Sequence, residues 1–210
     1  MNLLKNKDED LPIIVSAPSG TGKSTVIQKI MSEDEGNRKY AFAVSTTSRH
    51  IRSGEEEGKN YYFVTPEEFK ERVEKQDFLE WAIVHGNYYG TEKKEIDRIK
   101  KLKKIPIFDV DIQGARNLRK KMSHAVSIFI IPPSFDVLKA RLMNRRTESE
   151  EQIRIRLENA VKELKEYKKY DYIIINDSLD ETCLEFKAII RAEMCRRNKD
   201  WINIDELFGR

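Results

Sequence analysis

The chain has 210 residues, enough for one sizeable core with one or two inserted subdomains and too few for two fully separate domains. Charged residues make up 36% of it, but the signs nearly cancel to a net +3, so composition gives no reason to expect nucleic acid as a partner. No apolar run approaches the ~20 residues of a membrane span, and the start, MNLLKNKDED, lacks the apolar stretch of a signal peptide; a cytoplasmic protein without membrane contact is expected.

After the charged start (residues 1–10), Leu11 to Val15 is an apolar run of strand length, followed by a Gly-rich turn and a helical pattern from about Lys23 to Met31. Further strands are expected over Ala41 to Ser45, Ile105 to Val110, Val126 to Ile131 and Tyr172 to Ile175, all rich in β-branched or aromatic residues. Helical patterns separate most of them, which argues for a parallel sheet with helices on both faces. Two stretches break the alternation. Residues 46–91 hold turn signals, the strand-like Tyr61 to Val64, a helix opened by Thr65-Pro66-Glu67-Glu68, and the run Phe78 to Val84, and read as a small mixed insert. Residues 136–170 are helical with an interruption near Asn144 to Thr147, where Thr147 or Ser149 would cap a new helix. The core is then 11–45, 92–135 and 171–197, with an extension over 198–210 in which Trp201 and Phe208 carry no readable motif. The paired lysines Lys100-Lys101 and Lys103-Lys104 read as a solvated helix end.

Cys183 and Cys195 fall in one expected helix, about 18 Å apart, and read as reduced thiols. His50, His85 and His124 are scattered singly, so a protein-built zinc site is not expected.

The strongest chemical signal is Ala17-Pro18-Ser19-Gly20-Thr21-Gly22-Lys23-Ser24, placed between a buried strand and a helix. Glycines let successive N–H groups turn around phosphate oxygens, and the helix start adds positive potential. Lys23 reaches the β and γ phosphates, and the Ser24 hydroxyl can ligate Mg²⁺. The fold class is therefore α/β, a P-loop NTPase-type parallel sheet flanked by helices. The first position of the usual pattern is glycine, and Ala17 stands there; ordinary backbone angles are expected at it. Asp109 and Asp111 end the apolar run from Ile105 and point to one side, toward the crevice at the carboxyl edge of the sheet. Asp109 could hold Mg²⁺ through water, whereas Asp111 alone could equally be a helix cap.

Several separated motifs together resemble guanylate kinases over nearly the whole chain, from about Leu11 to Arg197. They are the phosphate loop, Ser45-Thr-Thr-Ser-Arg49-His-Ile-Arg52-Ser-Gly-Glu55, Gly58-Lys-Asn-Tyr61, Glu80-Trp81, Gly86-Asn-Tyr-Tyr89-Gly-Thr91, Asp109-Val-Asp111-Ile-Gln-Gly114, Pro132-Pro-Ser134 and Asn176-Asp177. The resemblance implies Mg²⁺-dependent transfer of the ATP γ-phosphoryl group to GMP in purine nucleotide metabolism, by a monomer or homodimer. It makes the 46–91 insert the GMP-binding subdomain and residues 136–170 a helical lid over ATP. Arg49, Arg52, Tyr61 and Tyr89 are then expected on the GMP phosphate, and Glu80 and Asp111 with Ser45 and Thr91 on guanine, beside Asp109. ATP is expected on the loop from Ala17 through Thr25 and near Asn176, with Arg141, Arg145 and Arg156 joining Lys23 at the transferring phosphates. Arg146 departs from the family, which usually has glycine there. Two rivals follow from the same residues. One is a phosphate-loop kinase for another acceptor; the other is a non-enzymatic guanylate-kinase-like module, which typically has a degraded phosphate loop.

Overall fold

The computed structural model describes residues 11–34, 39–84, 86–143 and 150–196. Strand β1 (Ile13–Ser16) is buried at every position because it lies in the middle of a five-stranded, all-parallel sheet ordered β2-β7-β1-β8-β9. Its neighbours are β7 (Ile105–Asp109) and β8 (Val126–Ile131), with β2 (Tyr40–Phe42) and β9 (Tyr172–Ile175) at the edges. Alternation along β1 divides the core. Ile13 and Val15 pack against Val26 and Ile30 of helix α1 (Lys23–Glu33) and Phe186 and Ile190 of the C-terminal helix (Leu179–Cys195), while Ile14 faces the other side. There it meets Ile99, Ala115 and Leu118 on the helices Lys93–Lys101 and Ile112–Lys121. Both faces are covered, as a parallel sheet requires.

The expected strand from Ala41 to Ser45 is two strands in two sheets. β2 ends at Phe42, and β3 (Ser45–Thr47) opens a second, four-stranded mixed sheet with β4 (Tyr61–Phe63), β5 (Phe78–Val84) and β6 (Asn87–Glu92), ordered β4-β3-β6-β5. The cause is an ion pair at the crossing between buried Glu95 and half-exposed Arg98, 2.8 Å apart. Arg98 donates to the Phe42 carbonyl at 2.8 Å, and Glu95 accepts from the Val44 N–H at 3.1 Å and from the Tyr62 hydroxyl at 3.1 Å. The Ala43 N–H still reaches the Ile107 carbonyl of β7 at 2.9 Å, but these side chains satisfy the Phe42 carbonyl and the Val44 N–H away from either ladder.

Helix α2 (Pro66–Glu74) starts as expected. Thr65 accepts from the Glu68 N–H at 3.1 Å while Glu68 accepts from the Thr65 N–H at 2.8 Å. The helix α3 (Lys93–Lys101) ends among the paired lysines, and α4 (Ile112–Lys121) follows β7 directly. Helices α5 (Phe135–Met143) and α6 (Glu150–Leu164) pack through Leu138, Leu142 and Ala160, and a short 3₁₀ turn leads to β9. The interruption expected at 144–147, with its caps Thr147 and Ser149, lies outside the described residues. So do His85, Trp201 and Phe208. The C-terminal helix α7 (Leu179–Cys195) carries both cysteines as free thiols, Cys183 buried and Cys195 exposed.

Phe186 is fully buried between α1 and the sheet. Phe186→Ala should cost about 3–5 kcal/mol of folding stability and leave the nucleotide chemistry intact at temperatures where the variant is folded. Urea unfolding measures it, and a loss under about 1 kcal/mol would show that the site can collapse to refill the space.

Candidate active site

The loop between β1 and α1 holds two glycines in the left-handed region, Gly20 at φ 88° and Gly22 at φ 90°. Neither could carry a side chain. A Cβ on Gly20 would stand 2.7 Å from Leu142 Cδ2, and one on Gly22 would stand 2.5 Å from Asn176 Nδ2. Ala17 has no positive φ, as expected, so the alanine in place of the family's first glycine carries no strain. Gly22 caps α1, and Lys23, Ser24 and Thr25 form its first turn, the position at which unpaired N–H groups attract anions.

The loop is braced from behind. Asn176 donates to the Thr21 carbonyl at 2.7 Å and accepts from the Thr182 hydroxyl at 3.2 Å. Arg141 donates to the Thr21 carbonyl at 3.1 Å and to the Asn176 carbonyl at 2.9 Å. Resemblance puts Asn176 near adenine and Arg141 on phosphate; in the structure both polar ends are turned to the backbone of the loop and its neighbour. Both still line a recess with Gly20, Gly22, Thr25, Asp177 and Leu179. Arg156 lies half-buried on α6. Arg145 and Arg146 lie outside the described residues.

A cleft of about 220 Å³ opens between the two sheets, lined by Lys23, Ser24, Ser45, Tyr61, Glu80, Tyr89, Asp109 and Asp111 among others. Eight residues singled out in the sequence thus share one wall, although they come from opposite sheets. Lys23 Nζ forms an ion pair with Asp109 and donates to the Val110 carbonyl at 2.8 Å. Asp111 caps α4, accepting from the Gly114 N–H at 2.8 Å, so the cap role left open in the sequence is realised.

Glu80, 5% exposed, accepts from both the N–H and the hydroxyl of Thr91, each at 3.0 Å, and Thr91 lies 3.4 Å from the Ser45 hydroxyl. Burial pushes the Glu80 carboxyl up to about 7; Asp111 adds to the rise, while the Thr91 bonds oppose it. Burial likewise pushes the Tyr61 hydroxyl up to about 12, which keeps it a donor.

Arg49 and Arg52 sit at the far end. Arg49 donates to the Tyr89 hydroxyl at 3.2 Å and is gripped by both oxygens of Glu55 at 2.8 and 3.0 Å. Its guanidinium stands 5.3 Å from the Tyr61 ring centre. Arg52 is exposed, with its N–H donated to Glu55 at 2.8 Å. The Arg49 guanidinium holds the Glu55 carboxyl below the usual range. The sequence reading assigns no role to Glu55, although it closes a quoted motif. Nor does it single out Glu163 on α6, which accepts from the Ser19 N–H of the phosphate loop at 3.4 Å. A glutamate on a charged helix gives no signal of its own.

A family model described as guanylate kinase matches residues 9–193. The chain is 41% identical to a guanylate kinase of Clostridium tetani over 93% of each chain. It is 47% identical to one of Vibrio parahaemolyticus over 89% of each. The crystal structure of guanylate kinase from Anaplasma phagocytophilum superposes with a TM-score of 0.78 at 32% identity, covering 99% of this chain and 97% of that one.

Asn176→Ala removes a buried donor and leaves the Thr21 carbonyl with only Arg141. It should cost about 1–3 kcal/mol of stability and reduce the rise in melting temperature produced by ATP. Thermal unfolding with and without the nucleotide checks this, and an unchanged nucleotide-induced rise would refute the bracing role.

Proposed function

We infer the roles of individual residues from one premise: this chain belongs to the guanylate kinase family and transfers the γ-phosphoryl group of ATP to GMP, giving ADP and GDP. The observation that carries the assignment is the single cleft that gathers Lys23, Ser24 and Asp109 from the parallel sheet and Ser45, Tyr61, Glu80 and Tyr89 from the second sheet. Residues 46–91 are then the GMP-binding subdomain and 136–170 the lid.

The loop from Ala17 to Ser24, with Thr25, takes the ATP phosphates. Thr21 and Gly22 owe their backbone placement to Asn176 and Arg141. Guanine offers the N1–H and N2–H₂ donors and the O6 acceptor. Glu80 and Asp111 suit the donors, and the Ser45 and Thr91 hydroxyls suit O6. AMP would leave those buried acceptors unpaired, a loss that discriminates strongly. Arg49, Arg52, Tyr61 and Tyr89 take the GMP phosphate; the Glu55 grip and the Tyr61 ring hold the Arg49 fork in place before it arrives.

Mg²⁺ fits the donor set. The Ser24 hydroxyl and Asp109 carboxylate are hard oxygens on one cleft wall. Among the described residues no cluster of three His, Cys, Asp or Glu could hold an ion alone, which suits a metal shared with nucleotide phosphates. Bound there, Mg²⁺ supplies charge neutralisation on the phosphates. Lys23, paired with Asp109, would do the same, and the family resemblance adds Arg141, Arg145 and Arg156 to that role. The acceptor is already an ionised phosphate, so no general base is needed, and catalysis rests on in-line positioning. Its substrates are small soluble nucleotides, and no described helix is long and apolar enough to cross a membrane. A monomer or homodimer working in the cytoplasm, without nucleic acid, completes the proposal.

Glu80→Gln should raise KM for GMP by tenfold or more, the order expected for a buried hydrogen-bonded charge, with KM for ATP little changed; equal effects on both substrates would sink the guanine assignment. The buried carboxyl predicts a pH dependence as well. Guanine needs the ionised form, and Glu80 titrates near about 7 in the free protein, so KM for GMP should fall as pH rises from 6 to 8 and then level off. The GMP phosphate itself ionises near about 6, so the comparison is with Glu80→Gln, whose profile should be flat above pH 7. Identical profiles for the two proteins would exclude Glu80 as the titrating group.

A further inference from the structure

Gly114 stands where a glycine has no conformational reason to be. It is the third residue of α4, in the helix's first turn, and is not among the glycines of positive φ. Glycine in a helix costs up to about 1 kcal/mol relative to alanine, so the chain gains something from the missing side chain.

The surroundings show what it gains. A Cβ on Gly114 would stand 3.0 Å from Glu80 Oε2, 3.0 Å from Val110 Cβ and 3.1 Å from Asp111 Oδ1. Each contact is tighter than ordinary van der Waals packing, so something would have to move. Val110 is fixed, because its N–H is bonded to Val15 in the parallel sheet at 3.2 Å and its carbonyl is held by Lys23 at 2.8 Å. Asp111 Oδ1 is held by the Gly114 N–H itself at 2.8 Å. Among the described residues Glu80 is anchored through Oε1 only, by the two Thr91 bonds. Oε2 is therefore the atom with freedom to yield, by rotation of the carboxylate about its anchored oxygen.

We propose that Gly114 is a specificity-determining positioning residue, whose lack of a Cβ lets the carboxylates of Glu80 and Asp111 flank one point and read the acceptor base together. The inference rests on the assignment of those two carboxylates to guanine. Gly114 itself touches no substrate; it acts through the space it leaves. α4 thus links the two sheets chemically as well as by packing, since it brings the Asp111 cap against β5 of the acceptor side.

The test is steady-state kinetics on Gly114→Ala, Glu80→Gln, Glu80→Asp and the double variant Gly114→Ala/Glu80→Asp, with GMP and with IMP, which lacks the N2 amino group. Gly114→Ala should raise KM for GMP about tenfold, in keeping with a contact misplaced by a few tenths of an ångström, and should lower the preference for GMP over IMP. KM for ATP should stay as it is. In the Glu80→Asp background, where the shorter side chain draws the carboxylate away from the methyl, the alanine should add under about twofold. An unchanged KM for GMP in Gly114→Ala, beside a raised one in Glu80→Gln, would overturn the proposal and leave the guanine assignment standing. An unchanged KM in Glu80→Gln would remove both. Failure of the alanine to fold in either background would also overturn it, because the conflict would then be with Val110 rather than the carboxylate; folding only with Glu80→Asp would support it.

Discussion

Parallel strands can be joined only by crossovers, so every loop that leaves the carboxyl ends of β1, β7, β8 and β9 opens at the same edge of the sheet. The site depends on that constraint. The phosphate loop follows β1, Asp109 ends β7 with Asp111 just beyond it, α5 follows β8, and Asn176 follows β9. Residues up to 155 positions apart meet there as a direct result, as the bond from Asn176 to Thr21 shows. The second sheet reaches the same edge because β2 points toward it too, and the Glu95–Arg98 pair diverts the chain after Phe42 rather than letting it turn back along the sheet.

The electrostatics of the edge are divided by this geometry. Opposite Lys23 and the start of α1, which favour anions, stand Asp109 and Asp111, and across the cleft stands a buried glutamate. The Lys23–Asp109 pair is short and about four-fifths buried on each side, so neither charge is left uncompensated. Among the described residues Glu80 has no ion-pair partner: two hydrogen bonds to Thr91 and the more distant charge of Lys121 offset only part of its desolvation. The α5–α6 pair closes over the loop from the other direction, with Leu142 against Gly20 and Glu163 against the Ser19 N–H.

Much of this was legible in the sequence because the signals are local. An apolar strand, two glycines and Lys23-Ser24 opening a helix fix one another within twelve residues, and the Thr65 to Glu68 box names its own helix start. The strand break at Ala43 and Val44 was not legible, since an unbroken apolar run reads as one strand and the residues that divert it lie some fifty positions later. The turning of Asn176 and Arg141 onto the loop backbone was hidden for the same reason. Glu80 was visible only through the resemblance, and Asp111 stood out as one of two carboxylates ending a strand while its guanine role came from the resemblance alone. Alone, an edge-strand glutamate and a helix cap describe them, and the structure shows that they are those things: β5 is an edge strand and Asp111 is a cap.

That coincidence of roles carries an energetic consequence for the acceptor pocket. Lifting a carboxyl from 4.5 to about 7 corresponds to roughly 3 kcal/mol of preference for its neutral form. For an acid whose folded value lies above its unfolded one, the folded state holds the extra proton, so this contribution opposes folding increasingly as pH rises from the unfolded value to the folded one, and is constant above it. Near neutrality the free protein therefore carries much of that cost. If Glu80 reads the acceptor base as proposed, a base that brings two N–H donors relieves that cost by hydrogen bonding to the ionised form, whereas adenine, with an acceptor at N1, does not. Under the proposed assignment, the pocket's selectivity and its strain are one quantity seen from two sides: the two Thr91 bonds replace only part of the water the carboxylate has lost, and guanine would meet the rest.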